Sequence, residues 1–471
     1  MKRPLVSFWL SLIAVALFAQ SDEAVIERII KEGKENNQVM EHLRHLTKQI
    51  GPRLTGSPGL QTACEWTAQK FREYGLQNVT LEKWGEVPVG FERGKRQIAR
   101  MVEPERRDFE FTSPAWTPGT NGLQRGRAVK APADMEEFEK VKESLKGAWL
   151  LMPPTQGGGR RAPDAQPTDL EKAIAASGAL GKVFGSQNEL VRTSGSFRNL
   201  TWESLPTEVR ITVRKSDYDA VMEQIAAGKQ PLLEFDLEQR FMRGPVPLYN
   251  VIADIPGTEK PDEMVIVSGH LDSWDGPGSE GAQDNGTGTM VAIEAARLLM
   301  KSGAKPKRTI RFILWTGEEQ GLLGSRAYVE MHKDKLDKIS AVFVDDGGSN
   351  YQGGLTCIAE MEPMLKTVIE PAMKAFPDLP MKVTVQDRMP RGGGSDHAPF
   401  NAVGVPGFFW HETGRNNYTH HHHTQHDKFE TCIPEYLVQS SVNSAIASYL
   451  LANAETLLPR EKAAPASETR P

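Results

Sequence analysis

A series of short apolar runs between Tyr249 and Trp410 constrains the fold of this chain more than any other feature. YNVIADI (Tyr249 to Ile255), MVIVSGH (Met264 to His270), TIRFILW (Thr309 to Trp315), ISAVFVD (Ile339 to Asp345), MKVTVQ (Met381 to Gln386) and VPGFFW (Val405 to Trp410) are short and mostly rich in β-branched or aromatic residues. That pattern predicts buried strands. Helical stretches lie between several of them, notably Met290 to Met300 and Leu322 to Met331. Strands alternating with helices imply an α/β fold, here a mixed, mostly parallel central sheet covered by helices. Open sheets of this kind collect their ligands beyond the carboxyl ends of the strands.

The same layer begins near the amino terminus. Val39, Leu43, Leu46 and Ile50 mark one helix face, and Leu60, Cys64, Ala68 and Phe71 a second, with IGPRLTGSPG breaking the chain between them. Gly75 is placed to terminate the second helix, and NVTLEKW (Asn78 to Trp84) reads as a strand. From about Gly85 to Pro245 the composition changes. Short β-like runs (KGAWLLM, GKVFG, EVRITV, LLEFDLE) alternate with glycine-rich and proline-rich turns, so residues 86–245 read as a smaller β-rich domain inserted into an α/β domain formed by 21–85 and 246–455. Gln156 to Pro167 is expected to be an exposed loop; its glycine run lacks the GK[ST] ending and the preceding strand of a phosphate cradle. Residues 456–471, charged and proline-bearing, are expected to be a disordered tail.

Residues 1–20 place Lys2 and Arg3 before an apolar run from Leu5 to Phe18, with Ala19 as a small cleavage position. This is the pattern of a signal peptide, and it predicts export to the periplasm or the extracellular space without a stable membrane anchor. A net charge of -5 over 471 residues gives no nucleic-acid footprint. Small or peptidic partners fit this balance better, and homodimer formation is left open. Cys64, Cys357 and Cys432 are too few and too scattered for a disulfide framework or a cysteine-based metal site.

Chemistry-bearing residues recur at the strand ends. His270 and Asp272 follow MVIVSG; Asp284 lies in the glycine-rich turn beyond; Glu318 and Glu319 follow FILWTG; Asp345 and Asp346 end AVFVDDGG; His423 lies in YTHHHHTQHD after the last run. Independent surface charges would not collect at one edge of one sheet. Histidines and carboxylates without thiols suit zinc, with cobalt or manganese as substitutes. The set suffices for two ions: His270 with Asp345 or Asp346, one glutamate of the 318/319 pair with a histidine near 423, and Asp284 between them. Ser395, Asp396 and His397 do not form a hydrolase triad merely by adjacency, and no G-x-S-x-G turn occurs in the chain.

HLDSW, DNGTG, TGEEQGLLGS and HTQHD, together with IGPRLTGSPG and GGSDHAPF, resemble in order the di-zinc exopeptidase family of the bacterial leucine-type aminopeptidases and carboxypeptidase Q. The inserted segment resembles the protease-associated domain of some members. The resemblance implies a zinc exopeptidase-like fold, two Zn2+ ions, and a secreted enzyme that cleaves terminal peptide bonds of peptides or dipeptides through a metal-bridging hydroxide. Carried over, it makes His270 and Asp345 ligands of one zinc, Glu319 and His423 ligands of the other, Asp284 the bridge and Glu318 the general base. Asp272 and Asp396 would support these from behind, and the Asp284–Asn285 peptide would be cis. Aminopeptidase members often carry Tyr where this chain has His422, which leaves the oxyanion-stabilising group open, with Tyr418 a candidate. The competing readings are a single-zinc glutaminyl cyclase and a non-enzymatic, receptor-like protein of the same fold.

Overall fold

A computed structural model describes residues 22–153 and 166–461. The signal-peptide segment and nearly all of the loop expected at 156–167 lie outside the described residues.

The strands that build the main sheet are, in chain order, β1 (Gln77–Glu103), β2 (Gln124–Lys130), β3 (Trp149–Leu151), β4 (Gly181–Gly185), β5 (Arg210–Val213), β6 (Leu232–Ile255), β7 (Lys260–His270), β8 (Arg308–Trp315), β9 (Ile339–Val344) and β10 (Gly407–Phe409). Their spatial order is β10-β9-β7-β8-β6-β2-β3-β4-β5, with Phe111–Thr112 at the far edge. β10, β9, β7 and β8 run parallel to their neighbours, and β6 is antiparallel to β8. Alternation along β7 divides its side chains between two cores: Val265 and Val267 face one, Met264 and Ile266 the other. The first core is closed by helices Pro58–Glu73, Thr287–Lys301 and Pro434–Asn453, and the second by Leu323–Met331 and Ala398–Ala402.

β1 and β6 form one long antiparallel ribbon, from Gln77 opposite Asp254 to Glu103 opposite Leu232. One end of β6 pairs with β8 (Val251 to Ile255) and the other with β2 (Leu232 to Phe235). The limits expected at 85/86 and 245/246 therefore fall inside continuous strands. β2 to β5 run parallel over their own core, in which Trp149, Val183, Ile211, Leu233 and Phe235 are buried.

Two expectations differ from the structure. MKVTVQ does not join the main sheet; Lys382–Gln386 pairs with Gly354–Ile358 in a separate two-stranded sheet. Residues 456–461, expected in the tail, are packed: Leu458 is buried, and Arg460 Nη2 donates to Leu336 O at 2.6 Å and Ile339 O at 2.9 Å. Among the described residues no helix is long and apolar enough to cross a membrane.

Candidate metal centre

His270 is the last residue of β7, paired in register with Trp315 of β8. Its carbonyl accepts from Thr289 Oγ1 at 2.6 Å, and its Nδ1 hydrogen-bonds Asp272 O at 3.0 Å, which leaves Nε2 facing the cavity beyond the sheet. There Nε2 meets Asp346 Oδ1 at 3.0 Å and Asp284 Oδ1 at 3.3 Å. The carboxylate beside His270 is thus that of Asp346, which corrects the expectation for Asp345. The reason lies in the strand: Asp345 N still donates to Ser268 O at 3.0 Å, so the ladder continues one residue past Val344 and adjacent side chains diverge. Asp345 Oδ2 turns into the protein and accepts from Gln352 Nε2 at 2.6 Å.

Asp284 reaches the centre from the turn Ala282–Gly286, and the Asp284–Asn285 peptide is cis. The Asn285 side chain ties the turn down, donating to Asp345 O at 2.7 Å and accepting from Gly288 N at 3.0 Å. Gly288 is required here, since a Cβ would lie 2.0 Å from Asp345 O. The two oxygens of Asp284 then point to different imidazoles: Oδ1 to His270 Nε2 at 3.3 Å, Oδ2 to His423 Nε2 at 3.2 Å.

Glu318 and Glu319 follow β8. Asp272 Oδ1 accepts from Glu318 N at 3.2 Å, and Asp272 Oδ2 accepts from Thr55 Oγ1 at 2.7 Å. Asp272 therefore orients His270 mainly through its carbonyl, while its carboxylate holds the turn that carries the glutamates. Glu318 Oε2 lies 4.0 Å from His270 Nε2, and Glu319 Oε2 lies 3.0 Å from His423 Nε2. His423 adopts a left-handed backbone (φ 62), stacks on His422 with ring centres 3.7 Å apart and meets the Trp274 indole edge-on at 5.9 Å. His422 Nε2 approaches Asp284 Oδ2 at 3.8 Å, an additional imidazole that the sequence pattern marked only as a departure from tyrosine. Tyr418 also lines the cavity, and Asp396 is buried behind it with His270 and Asp346 as charged neighbours.

The cavity holds about 510 Å³ and is lined by His270, Asp284, Glu318, Glu319, Asp346 and His423, with Leu322 and Phe409 as apolar wall. Burial pushes Glu319 and Asp396 up to about 7 and Glu318 well above the usual carboxylate range. Burial would also raise Asp284, but its hydrogen bonds to His270 and His423 hold it well below. Against burial, Glu319 and Asp284 lift His423 to about 10. Ionised together, so many buried carboxyls would carry more negative charge than the two imidazoles balance, and Glu319 Oε1 has no hydrogen-bond donor. Divalent cations fit that set. His270, Asp284 and Asp346 offer atoms within 4.8 Å of one another, as do Asp284, His422 and His423. The three cysteines are buried and free.

Known proteins supply the reaction class. Carboxypeptidase Q of Mus musculus is 27% identical over 436 residues, covering 91% of this chain and 88% of the relative. The crystal structure of a peptidase M28 precursor from Shewanella amazonensis shares the fold, with a TM-score of 0.67, 24% identity and coverage of 94% of this chain and 99% of that one. A zinc aminopeptidase from Bacillus subtilis does so at a TM-score of 0.55 and 21% identity, over 88% of this chain and 93% of that one. Fold and donor set together define a metallopeptidase. Residues 250–447, which include every candidate metal donor described above, match the model of peptidase family M28.

Proposed function

We propose that this chain is an exported, co-catalytic two-zinc exopeptidase that hydrolyses the terminal bond of short peptides. The observation that carries this reading is Asp284, whose two oxygens each face a different imidazole across 3.3 and 3.2 Å. His270 and Asp346 would hold one ion, Glu319 and His423 the other, with Asp284 shared and His422 near enough to supplement the second. Bound zinc supplies Lewis acidity, polarising a carbonyl oxygen and acidifying water. Glu318 lines the cavity close to His270 without contacting His423, and the Asp272 carboxylate fixes its backbone; it is placed to take a proton from water and return it to the leaving amine. Tyr418 and His422, on the same wall, face the space a substrate carbonyl would fill. Residues 86–245 are read as a protease-associated-like domain.

Relatives named carboxypeptidase Q and fold neighbours named zinc aminopeptidase support cleavage at a chain end and leave its polarity to experiment. Metal content and product masses decide, using dipeptides and longer peptides blocked at either end. Two zinc ions per chain and loss of cleavage when one terminus is blocked are expected. Cleavage of a doubly blocked peptide would refute exopeptidase action, and a single ion would favour the glutaminyl cyclase reading.

A further inference from the structure

The inserted segment meets the loops of the metal centre on two sides: Arg93 Nη2 donates to Asp275 Oδ1 at 3.2 Å in the segment beyond His270, and residues 191–198 reach the loops that carry Glu319 and His423. Thr193 N donates to the carbonyl of His423 itself at 2.9 Å, and Arg192 forms an antiparallel bridge with Thr424. The Arg192 guanidinium caps the same turn, donating to His422 O at 2.9 Å and Thr419 O at 3.3 Å. Further along the same stretch, Arg198 Nη2 donates to Gln320 O at 2.8 Å, in the turn that follows Glu319. One short stretch therefore holds both loops that present Glu319 and His423. Among the described residues, the hydrogen bonds of 191–198 do not reach the turns carrying His270 or Asp346.

We infer that Arg192 and Arg198 of the inserted segment are positioning residues that clamp the Glu319/His423 ion position and not the His270/Asp346 position. This rests on the two-ion reading above. The physical need is clear at His423, whose left-handed backbone is unusual for a residue with a Cβ and is held by a hydrogen bond to its own carbonyl. Partners that orient a ligand from behind typically change metal affinity about 10–100-fold when removed. His270 instead sits at the end of β7, between β8 and β9, where the parallel ladders fix it.

The full-length chain, stripped of metal and titrated with Co2+ while absorbance and bound metal are followed, tests this. The parent is expected to fill two positions. In the Arg192→Ala/Arg198→Ala double variant one position keeps its affinity and the other weakens about 10–100-fold. Arg192→Lys, which retains one donor, gives a smaller loss, and Arg127→Ala, elsewhere in the insert, gives none. In a His423→Ala background, where the clamped position is already impaired, the arginine changes have no further effect on the remaining ion. Unchanged affinities in the double variant, or equal weakening of both positions, would overturn the clamp while leaving the two-ion reading standing. If the double variant does not fold, the test rests on Arg192→Lys, and unchanged affinity there would overturn the clamp. A parent that binds one ion would overturn both.

Discussion

Replacing Arg53 with methionine should loosen the centre from behind without touching a metal donor. Arg53 is fully buried, and its guanidinium donates to backbone carbonyls: Nε to Leu271 O and Nη2 to Gly281 O, both at 2.7 Å, and Nη1 to Gly51 O and Glu280 O, both at 3.2 Å. Leu271 follows His270, and Gly281 opens the turn that presents Asp284, so one side chain ties together two of the donor segments. Methionine fills much of the volume but offers no donor. Leaving the Leu271 and Gly281 carbonyls unpartnered costs about 1–3 kcal/mol each. Part of that is recovered because a charge is no longer buried, a cost visible in the burial that pushes Arg53 down to about 10. A net loss of about 2–4 kcal/mol is expected, which a domain stable by about 5–15 kcal/mol survives. Urea denaturation of the metal-free chain measures the loss, and zinc content after dialysis should fall in the same variant. Arg53→Lys, with a single ammonium head, should lie between. If Arg53→Met unfolds within about 0.5 kcal/mol of the parent and retains its zinc, the pinning argument is wrong, since removing two buried hydrogen bonds to a charged donor cannot be that small.

Other perturbations separate the remaining roles. Glu318→Gln should retain metal while kcat falls about 10²–10⁴-fold, the usual share of a general acid–base group; an unchanged kcat would remove Glu318 from that role. Asp346→Ala should lose metal, whereas Asp345→Ala should keep it while losing the Gln352 hydrogen bond; metal analysis of both variants tests which aspartate faces the ion. Chelation should lower the melting temperature, because zinc at 1,000 times its Kd contributes about 4 kcal/mol to the folded state. His42, away from the centre, predicts a pH effect in the metal-free chain. Burial holds it down to about 3 from an ordinary 6.5, and Glu294, 3.8 Å away, is already engaged by Arg297 at 2.8 and 2.9 Å. The unfolded chain therefore takes up the proton first, and stability falls as pH drops below 6.5, by about 2 kcal/mol at pH 5. Urea melts at pH 7 and pH 5 should show that difference shrinking in His42→Leu.

The parallel strands and the order of the chemistry-bearing residues were legible because each strand is a short apolar run that gives way to polar residues: β7 ends on His270, β8 is followed by Thr316 and β9 by Asp345. Three things were not. NVTLEKW marks only the start of β1, whose later stretch through Arg93, Gly94, Lys95 and Arg96 is too polar to read as a strand; only its pairing with β6 reveals it. Helix Pro434–Asn453 buries residues all round, including Gln439, Ser440, Asn443 and Ser444, so it has no amphipathic stripe to detect. The choice between Asp345 and Asp346 depends on how many residues of β9 remain in the ladder, a one-residue question that sequence boundaries do not resolve.

The topology also explains why the two proposed ion positions differ in kind. β7 lies between β8 and β9, so His270 has the carboxylate of Asp346 on one side and the glutamate turn on the other as a consequence of strand order alone. Asp284 then enters from the chain leaving β7, over the glycine at 288 that lets its turn approach the end of β9. His423 has no such origin. It comes from a loop beyond β10, at the edge of the sheet, and no strand of the α/β layer pairs with it; its backbone partner is Thr193. A donor fixed by a buried ladder and a donor fixed by a neighbouring layer respond differently to the same thermal motion, because only the second depends on an interface that can shift as a body. On the proposed two-ion reading, variation at Arg192 and Arg198 is therefore expected to change occupancy of the Glu319/His423 position more than that of the His270/Asp346 position.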